Sequence, residues 1–151
     1  MKDKIKKFGQ LFFPLALGGL VSFIIKNKID YEYLIKPMLA PPKIAFPIFW
    51  SIIYLLMGIS YYKLNKDSDI AYEEKGVYYA QLIVNSLWSI IFFLFKLRLL
   101  ACFWIILLDI LVIWMIKLFY KRDKIAGLLN IFYLIWILFA TYLTIGIYIL
   151  N

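Results

Sequence analysis

The chain has 151 residues, of which 65% are hydrophobic and 20% aromatic, and its mean hydropathy of +0.85 excludes an ordinary soluble domain, which is about half apolar. The net charge of +8 does not indicate nucleic-acid binding, because the cations lie in short loops rather than on one basic face. The absence of histidine and the single cysteine exclude an intrachain disulfide, Ser–His or Cys–His catalysis, and HExxH or cysteine-rich metal sites.

Five long apolar runs divide the chain and predict helices at about residues 8–25, 44–62, 76–95, 99–117 and 125–149. Each run has about 18 residues or more, which is enough to cross ~30 Å of hydrocarbon at 1.5 Å per residue. A soluble helical bundle would need polar faces on its outer helices, and residues 99–116 have none. We therefore predict an all-α membrane protein, with residues 1–151 forming a single membrane domain that is a five-transmembrane-helix bundle.

The first predicted helix is followed by a connection of eighteen residues, 26–43. Within it, IDYEYLI predicts a short amphipathic turn in which Ile29, Tyr33 and Leu34 face inward. Long ordered loops beside a bundle often act as lids or binding elements, and a plain tether is the alternative. In the first helix itself, the pair Gly18-Gly19 predicts close helix packing.

The second predicted helix carries three rings at four-residue steps, Phe46, Trp50 and Tyr54. Residues four apart share a helix face, so the rings form one aromatic surface. Leucine would satisfy lipid equally well, so this surface indicates either an aromatic core or one wall of a ligand pocket.

The third predicted helix carries a polar and aromatic stripe of Gln81, Asn85, Trp88 and Ser89. Amides four residues apart share one face and can bond to neighbouring helices or to a ligand between them. We interpret Gln81 as a structural polar residue that joins helices. For Asn85 the structural role and the ligand-binding role are both open.

The fourth predicted helix contains Asp109, the only acid within an apolar run. An ionised carboxylate that faced lipid would cost a few kcal/mol, so we expect Asp109 to face inward. A buried hydrogen bond to a neighbouring helix is the favoured interpretation, and a proton or ligand site is the alternative. Cys102, in the same helix, is interpreted as a small apolar filler.

The fifth predicted helix places Trp136, Ala140 and Leu143 on one face. A small residue beside a large ring leaves a recess, although close helix packing explains Ala140 equally well. Trp136 lies inside the run, away from the interface where tryptophans usually collect. If the faces of helices two, three and five meet, they enclose an aromatic pocket for a flat hydrophobic ligand.

The loops predict the orientation of the chain. The N-terminus and the connections 63–75 and 117–124 share one side, which carries 11 of the 17 Lys and Arg residues. By the positive-inside rule, this side is cytoplasmic. We expect an integral protein of a bacterial cytoplasmic membrane with a cytoplasmic N-terminus.

Four segments resemble motifs of the TspO/translocator protein family, the tryptophan-rich sensory proteins. KPMLAPPKIAFPIFWSIIYLLMGIS resembles KPxWxPP…FPIxWxxLYxLMG, and QLIVNSLWSIIFF resembles QLxxNxxWSxxFF. LLDILVI is similar to VDLLLV, and YLIWILFATYL to YLxWxxFATYLN. The resemblance covers roughly residues 8–151. Leu39 stands where the motif has tryptophan, and Phe132 stands where the family has a proline, from which a straighter fifth helix is expected.

The resemblance implies a homodimeric five-helix bundle with a ligand pocket beneath the first long connection. It implies porphyrin-type ligands, with protoporphyrin IX or haem as the expected one, and no required cofactor or metal. By position, it assigns Trp50, Tyr54, Asn85, Trp88, Trp136 and Ala140 to the pocket. Together with the faces above, the predicted ligand-binding set is Phe46, Trp50, Tyr54, Asn85, Trp88, Ser89, Trp136, Ala140 and Leu143.

Several functions remain open at this point. The leading hypothesis is a membrane protein that binds tetrapyrroles and related flat hydrophobic molecules for transport, sensing or regulation, with lipids and a second copy as its other partners and no nucleic acid. An enzyme for light-dependent oxidative degradation of protoporphyrin is the alternative, with Trp50 and Trp136 supplying the photochemistry. A small-molecule transporter ranks last, because the sequence has neither a charged pathway nor an internal repeat. A scaffold role also fits.

Overall fold

The structure, a computed structural model, describes residues 2–66 and 69–151. All regular structure in these residues is helical: α1 (Lys2–Ile25), α2 (Ala45–Asn65), α3 (Tyr72–Ser89), α4 (Arg98–Arg122), α5 (Lys124–Leu128) and α6 (Ile131–Leu150). A π-helical turn, Ile90–Leu94, continues α3, and a 3₁₀ turn, Tyr31–Tyr33, lies between α1 and α2. Five segments are long and apolar enough to cross a membrane, with α5 and α6 together forming the fifth. The predicted all-α membrane architecture with five spans is confirmed.

Several helices extend beyond the apolar runs of the sequence. α1 begins at Lys2 rather than near residue 8, and α3 begins at Tyr72 rather than near residue 76. Long charged side chains at a helix end reach water while the backbone continues its hydrogen bonding. The first turn of α3 also carries Glu73 and Glu74, and acids are favourable beside the positive end of a helix dipole. A charge therefore marks the edge of the apolar layer rather than the end of the helix.

The sharp turn from α4 into α5 is fixed by Asp123. Its carboxylate caps α5 by accepting hydrogen bonds from the backbone N–H groups of Ile125 (2.9 Å) and Ala126 (3.2 Å). The Lys63 ammonium of α2 lies 3.4 Å from the same carboxylate. Desolvation opposes ionisation here, but the two backbone donors and Lys63 outweigh it and hold the pKa of Asp123 below its usual value. The cap is therefore charged at neutral pH.

The fifth span is interrupted between α5 and α6, at Leu129 and Asn130. Asn130 is fully buried, and its side-chain amide donates to the Ser60 hydroxyl (2.8 Å) and to the Ala126 carbonyl (3.1 Å). Ser60, on α2, in turn donates to the same carbonyl at 2.7 Å. These bonds tie the interrupted backbone to α2. Phe132 lies inside the continuous α6, so the interruption falls two residues before the position of the family's proline.

The hydrophobic core lies between α2, α3, α4 and α6. Its most deeply buried side chains are Ile53, Met57, Tyr61, Tyr78, Leu82, Val112, Met115, Phe119 and Ile137. The rings of Tyr61 and Tyr78 stack with centroids 4.1 Å apart, which joins α2 to α3. Large side chains that face lipid, such as Trp114 of α4, leave a broad apolar surface on the outside of the bundle.

α1 packs closely against α2 through glycines. A Cβ atom at Gly58 would overlap the backbone carbonyl of Leu11, and one at Gly18 would overlap the ring of Tyr54. A Cβ atom at Gly19 would have no atom within 4 Å. Gly58 therefore packs inside the bundle, and of the pair Gly18-Gly19, for which close packing was predicted, Gly18 does so and Gly19 does not.

The connection between α1 and α2, residues 26–44 and called the lid below, is bound to the bundle at its start. Both oxygens of Asp30 accept hydrogen bonds from Arg98 at the start of α4, at 2.8 and 2.9 Å. The Arg98 side chain also donates to the Phe92 carbonyl and lies over the Phe92 ring. One guanidinium nitrogen makes both contacts with Asp30, and charge-assisted bonds of this kind are stronger than neutral ones.

The lid is also bound near its middle. The Tyr142 hydroxyl of α6 donates to the Met38 carbonyl at 2.6 Å. The Asn151 side chain accepts from the Ile35 N–H at 3.1 Å and donates to the Ile35 carbonyl at 2.8 Å. An ordered lid with three attachment points favours the lid interpretation over that of a plain tether.

The turn within the lid buries Tyr31 rather than Tyr33, whose exposed fractions are 4% and 87%. The prediction that Tyr33 faces inward is wrong. It assumed α-helical spacing, whereas a single 3₁₀ turn has three residues per turn. The Lys36 ammonium donates to the carbonyls of Tyr31 and Leu34, each at 3.0 Å, which fixes the end of the turn. Ile29 and Leu34 are half-buried.

Candidate ligand-binding site

A cavity of about 540 Å³ lies between the lid, α1, α2 and the end of α3. This volume falls within the range of small-molecule sites, about 300–1,000 Å³. Its walls are formed by Gly18, Val21, Ser22, Ile25, Ile29, Tyr31, Glu32, Lys43, Ile44, Phe46, Pro47, Trp50, Tyr54, Trp88, Ser89 and Phe93. Most of these side chains are apolar or aromatic, so the cavity suits a hydrophobic ligand.

The aromatic face of α2 forms one wall of the cavity. Phe46, Trp50 and Tyr54 lie on successive turns, and at 1.5 Å per residue they span about 12 Å. The rings of Trp50 and Tyr54 stack, with centroids 5.4 Å apart and planes inclined by 26°. A continuous ring surface of this kind offers a flat molecule a stacking partner along its length.

The end of α3 forms a second wall, where Trp88, Ser89 and Phe93 border the cavity. Here the backbone widens into the π-helical turn, in which the Phe95 N–H donates to the Ile90 carbonyl five residues earlier. Such turns are rare and often occur at functional sites. The Phe93 ring meets Trp88 edge to face, with centroids 6.2 Å apart. The π turn thus places Phe93 on the same wall as Trp88 and Ser89.

Asn85 lies behind the cavity wall in a network of polar side chains. Its carbonyl oxygen accepts from the Tyr54 hydroxyl at 2.9 Å, and its amide donates to the Tyr133 hydroxyl at 2.7 Å. Tyr133 donates to the Gln81 carbonyl oxygen at 2.7 Å, and the Gln81 amide contacts the Met57 sulfur at 3.2 Å. The network joins α2, α3 and α6. Asn85 therefore orients Tyr54, which itself borders the cavity.

Trp136 lies in a second layer behind the aromatic face of α2. Its ring stacks on Phe49 at 4.7 Å, and it meets Trp50 edge to face at 6.4 Å and Phe46 at 5.8 Å. It is not among the residues that border the cavity. Its indole N–H and that of Trp88 are both buried without a hydrogen-bond partner in the described structure. Trp136 supports the wall that Trp50 presents.

Ala140 and Leu143 border a separate recess of about 20 Å³, the size of one water molecule. Both this recess and the main cavity are bordered by Tyr31, Phe46, Trp88 and Phe93, so these four rings stand between them. Of the nine predicted ligand-binding residues, Phe46, Trp50, Tyr54, Trp88 and Ser89 border the main cavity. The other four, Asn85, Trp136, Ala140 and Leu143, lie behind it or in the recess.

Asp109 lies between α4 and α6, outside the cavity walls. The Thr141 hydroxyl of α6 donates to one of its carboxylate oxygens at 2.7 Å. Its other carboxylate oxygen is buried without a partner in the described structure. Within residues 2–66 and 69–151, no three acidic or cysteine side chains cluster as a metal site would require.

The sequence did not predict the α1 wall of the cavity, nor which residues of the lid border it. Gly18, Val21, Ser22 and Ile25 of α1 recur at helical spacing and face the cavity, and the lid adds residues including Tyr31. The available signal in α1 was its pair of small residues, Gly18 and Ser22, four apart. That spacing indicates a face with room beside it, but not which helix stands opposite.

The cavity is open on one side, at the boundary between α1 and the start of α2. Ser22, Ile44 and Pro47 all border it and are exposed. Glu32 and Lys43 stand at the lid end of the same opening, with the Lys43 ammonium 3.9 Å from the Glu32 carboxylate. These two are the charged side chains among the residues that line the cavity. The site thus has a charged end and a long apolar interior.

Comparison with known proteins finds relatives along almost the whole chain. The model of the TspO/MBR family matches residues 10–150. The tryptophan-rich protein TspO of Archaeoglobus fulgidus is 36% identical over 157 aligned positions, which cover 97% of each chain. Protein CrtK of Rhodobacter capsulatus is 30% identical, covering 95% of this chain and 92% of its own length. A translocator protein homolog of Schizosaccharomyces pombe is 30% identical, with coverages of 91% and 87%.

Proposed function

Because the chain belongs to the TspO/MBR family of membrane proteins, we propose that it binds a tetrapyrrole, protoporphyrin IX or haem, in the cavity beneath the lid. The observation that carries this proposal is the ring-lined cavity of about 540 Å³, with Phe46, Trp50 and Tyr54 on one side and Trp88 on another. Flat conjugated ligands gain most from such walls, because aromatic faces stack on one another.

The wall that α1 forms closes the cavity beside Tyr54. α1 presents Gly18 beside the Tyr54 ring, where any larger residue would overlap it. The cavity therefore extends along the aromatic face of α2 up to a smooth helix surface. We propose that the protein binds this molecule for transport, sensing or regulation, with lipids and a second copy of the chain as the protein's other partners.

The enzymatic alternative places light-dependent oxidation of the porphyrin at the same site. Trp50 and Trp88 both border the cavity and would contact an excited ligand, whereas Trp136 lies behind Trp50. The transporter alternative ranks lower. Asp109 bonds to Thr141 outside the cavity and so supplies no charged path from it.

The test is titration of the purified protein in neutral detergent with protoporphyrin IX, followed through quenching of tryptophan emission. We expect saturable quenching in the wild type and weaker binding for Trp50→Phe, by about fivefold if the lost contact is that of one stacked ring. Trp136→Phe acts only through Trp50 and Phe46, so a smaller loss is expected. Trp114→Phe is the matched control, because Trp114 faces lipid on α4.

Linear, non-saturable quenching in the wild type would contradict the proposed function. Equal affinities for Trp50→Phe and Trp114→Phe would contradict the assignment to this cavity. Illumination of the bound complex in the presence of oxygen separates the enzymatic alternative. That alternative requires loss of the porphyrin Soret absorption faster in the wild type than in Trp50→Phe.

A further inference from the structure

The cations around the lid differ in how far their charges are engaged. The Lys36 ammonium is held by the carbonyls of Tyr31 and Leu34 at 3.0 Å, and Arg98 is held by both oxygens of Asp30. Lys43 has a single weak ionic contact, with Glu32 at 3.9 Å. The first two cations maintain the lid, whereas the charge of Lys43 remains available to another anion.

Lys43 also has the right place for an anion that is part of a hydrophobic ligand. It borders the cavity that Phe46 also borders, and it lies two residues before α2 begins. The lining residues from there to Tyr54 are uncharged, so a ligand that fills the cavity has only one end beside a charge. The Lys43 and Glu32 side chains are 50% and 63% exposed, so their mutual attraction is weak and an incoming carboxylate can replace Glu32.

We propose that Lys43 is the carboxylate subsite of this cavity, so that the preferred ligand is an aromatic or apolar molecule with a carboxylic acid at one edge. Glu32 is the counterion that such a ligand displaces. The inference rests on the proposed function and narrows it, because it selects acidic tetrapyrroles over neutral ones. In protoporphyrin IX the two propionic acid groups share one edge of the ring system, which matches a site with a single charged end.

The experiment compares protoporphyrin IX with its dimethyl ester, which has the same rings and no carboxylate. In wild-type protein in neutral detergent, the diacid should bind about fivefold more tightly than the ester, the scale of one partly exposed charge contact. Lys43→Gln should lower the affinity for the diacid by the same factor and leave the ester unchanged. Lys43→Arg should retain the preference, and Glu32→Gln should raise the affinity for the diacid.

Lys28→Gln is the matched control, since Lys28 is an exposed lysine of the lid that does not border the cavity. It should bind both ligands as the wild type does. Equal affinities of diacid and ester in the wild type, or equal losses for both in Lys43→Gln, would overturn the subsite while leaving tetrapyrrole binding in place. Failure of both ligands to bind the wild type would instead contradict the proposed function.

Discussion

Polar side chains inside a membrane protein are informative because lipid offers them no hydrogen bonds. In this chain, Tyr54, Asn85, Tyr133 and Gln81 form an unbroken series of bonds between 2.7 and 2.9 Å. In each of these bonds, the donor and the acceptor lie on different helices. The result is that Tyr54, which borders the cavity, keeps one orientation.

At the scale of single residues, we predict that Tyr133→Phe destabilises the bundle. The change leaves the Asn85 amide and the Gln81 carbonyl oxygen without their shared partner. An unpaired buried group costs about 1–3 kcal/mol, and hydrogen bonds between membrane helices average about 0.6 kcal/mol, so we expect a loss of about 1 kcal/mol. Thermal unfolding in detergent measures it.

Tyr148→Phe is the control, because Tyr148 lies on the same helix and is 42% exposed. It should unfold at the wild-type temperature. If the two variants unfolded together, the network would contribute nothing to stability.

At the scale of secondary structure elements, the close approach of α1 to α2 decides how much space the cavity has. Gly58 lets the Leu11 carbonyl come against α2, and Gly18 leaves room for the Tyr54 ring. One glycine therefore sets the distance between the helices, and the other sets the shape of the cavity at its deep end. Backbone contact of this kind is a common feature of membrane helix pairs.

We predict opposite outcomes for two Gly→Ala substitutions. Gly58→Ala should destabilise the protein by about 1–3 kcal/mol, because backbone cannot move aside as a side chain can and the helices must separate. Gly19→Ala should be neutral or stabilising by up to about 1 kcal/mol, because its Cβ meets nothing within 4 Å and alanine favours the helix. Thermal unfolding of both variants is the measurement. A larger loss for Gly19→Ala would contradict this packing.

The sequence predicts single elements better than the relations between them. Apolar runs locate all five spans, and four-residue spacing places Phe46, Trp50 and Tyr54 on the surface that borders the cavity. Spacing cannot say which helix stands opposite, so the α1 wall was missed and Trp136 was expected in the pocket rather than behind it. The lid turn was misjudged because a periodicity cannot be measured over one turn.

At the scale of the whole molecule, the distribution of charge predicts how the bundle lies in the membrane. The side that carries the N-terminus and the connection after α2 is rich in lysine, and the lid lies on the other side. By the positive-inside rule, the lid and the charged end of the cavity then face outward. Orientation thus decides from which side an acidic ligand meets Lys43.

We predict that cysteines on the two sides differ in their access to a membrane-impermeant maleimide added to intact cells. In a Cys102→Ala background, Lys28→Cys in the lid should be labelled directly, because the positive-inside rule predicts that the lid faces outward. Lys66→Cys, just after α2, should be labelled only once the cells are permeabilised. Labelling in the reverse order would show that the N-terminus lies outside.

The opening of the cavity between Ser22 and Pro47 determines which ligand concentration a dissociation constant for this protein refers to. A hydrophobic molecule dissolved among the acyl chains can reach this opening between two helices without passing through water. Occupancy then follows the mole fraction of that molecule in the bilayer, so diluting the membrane with extra phospholipid empties the site even when the total amount per litre is constant.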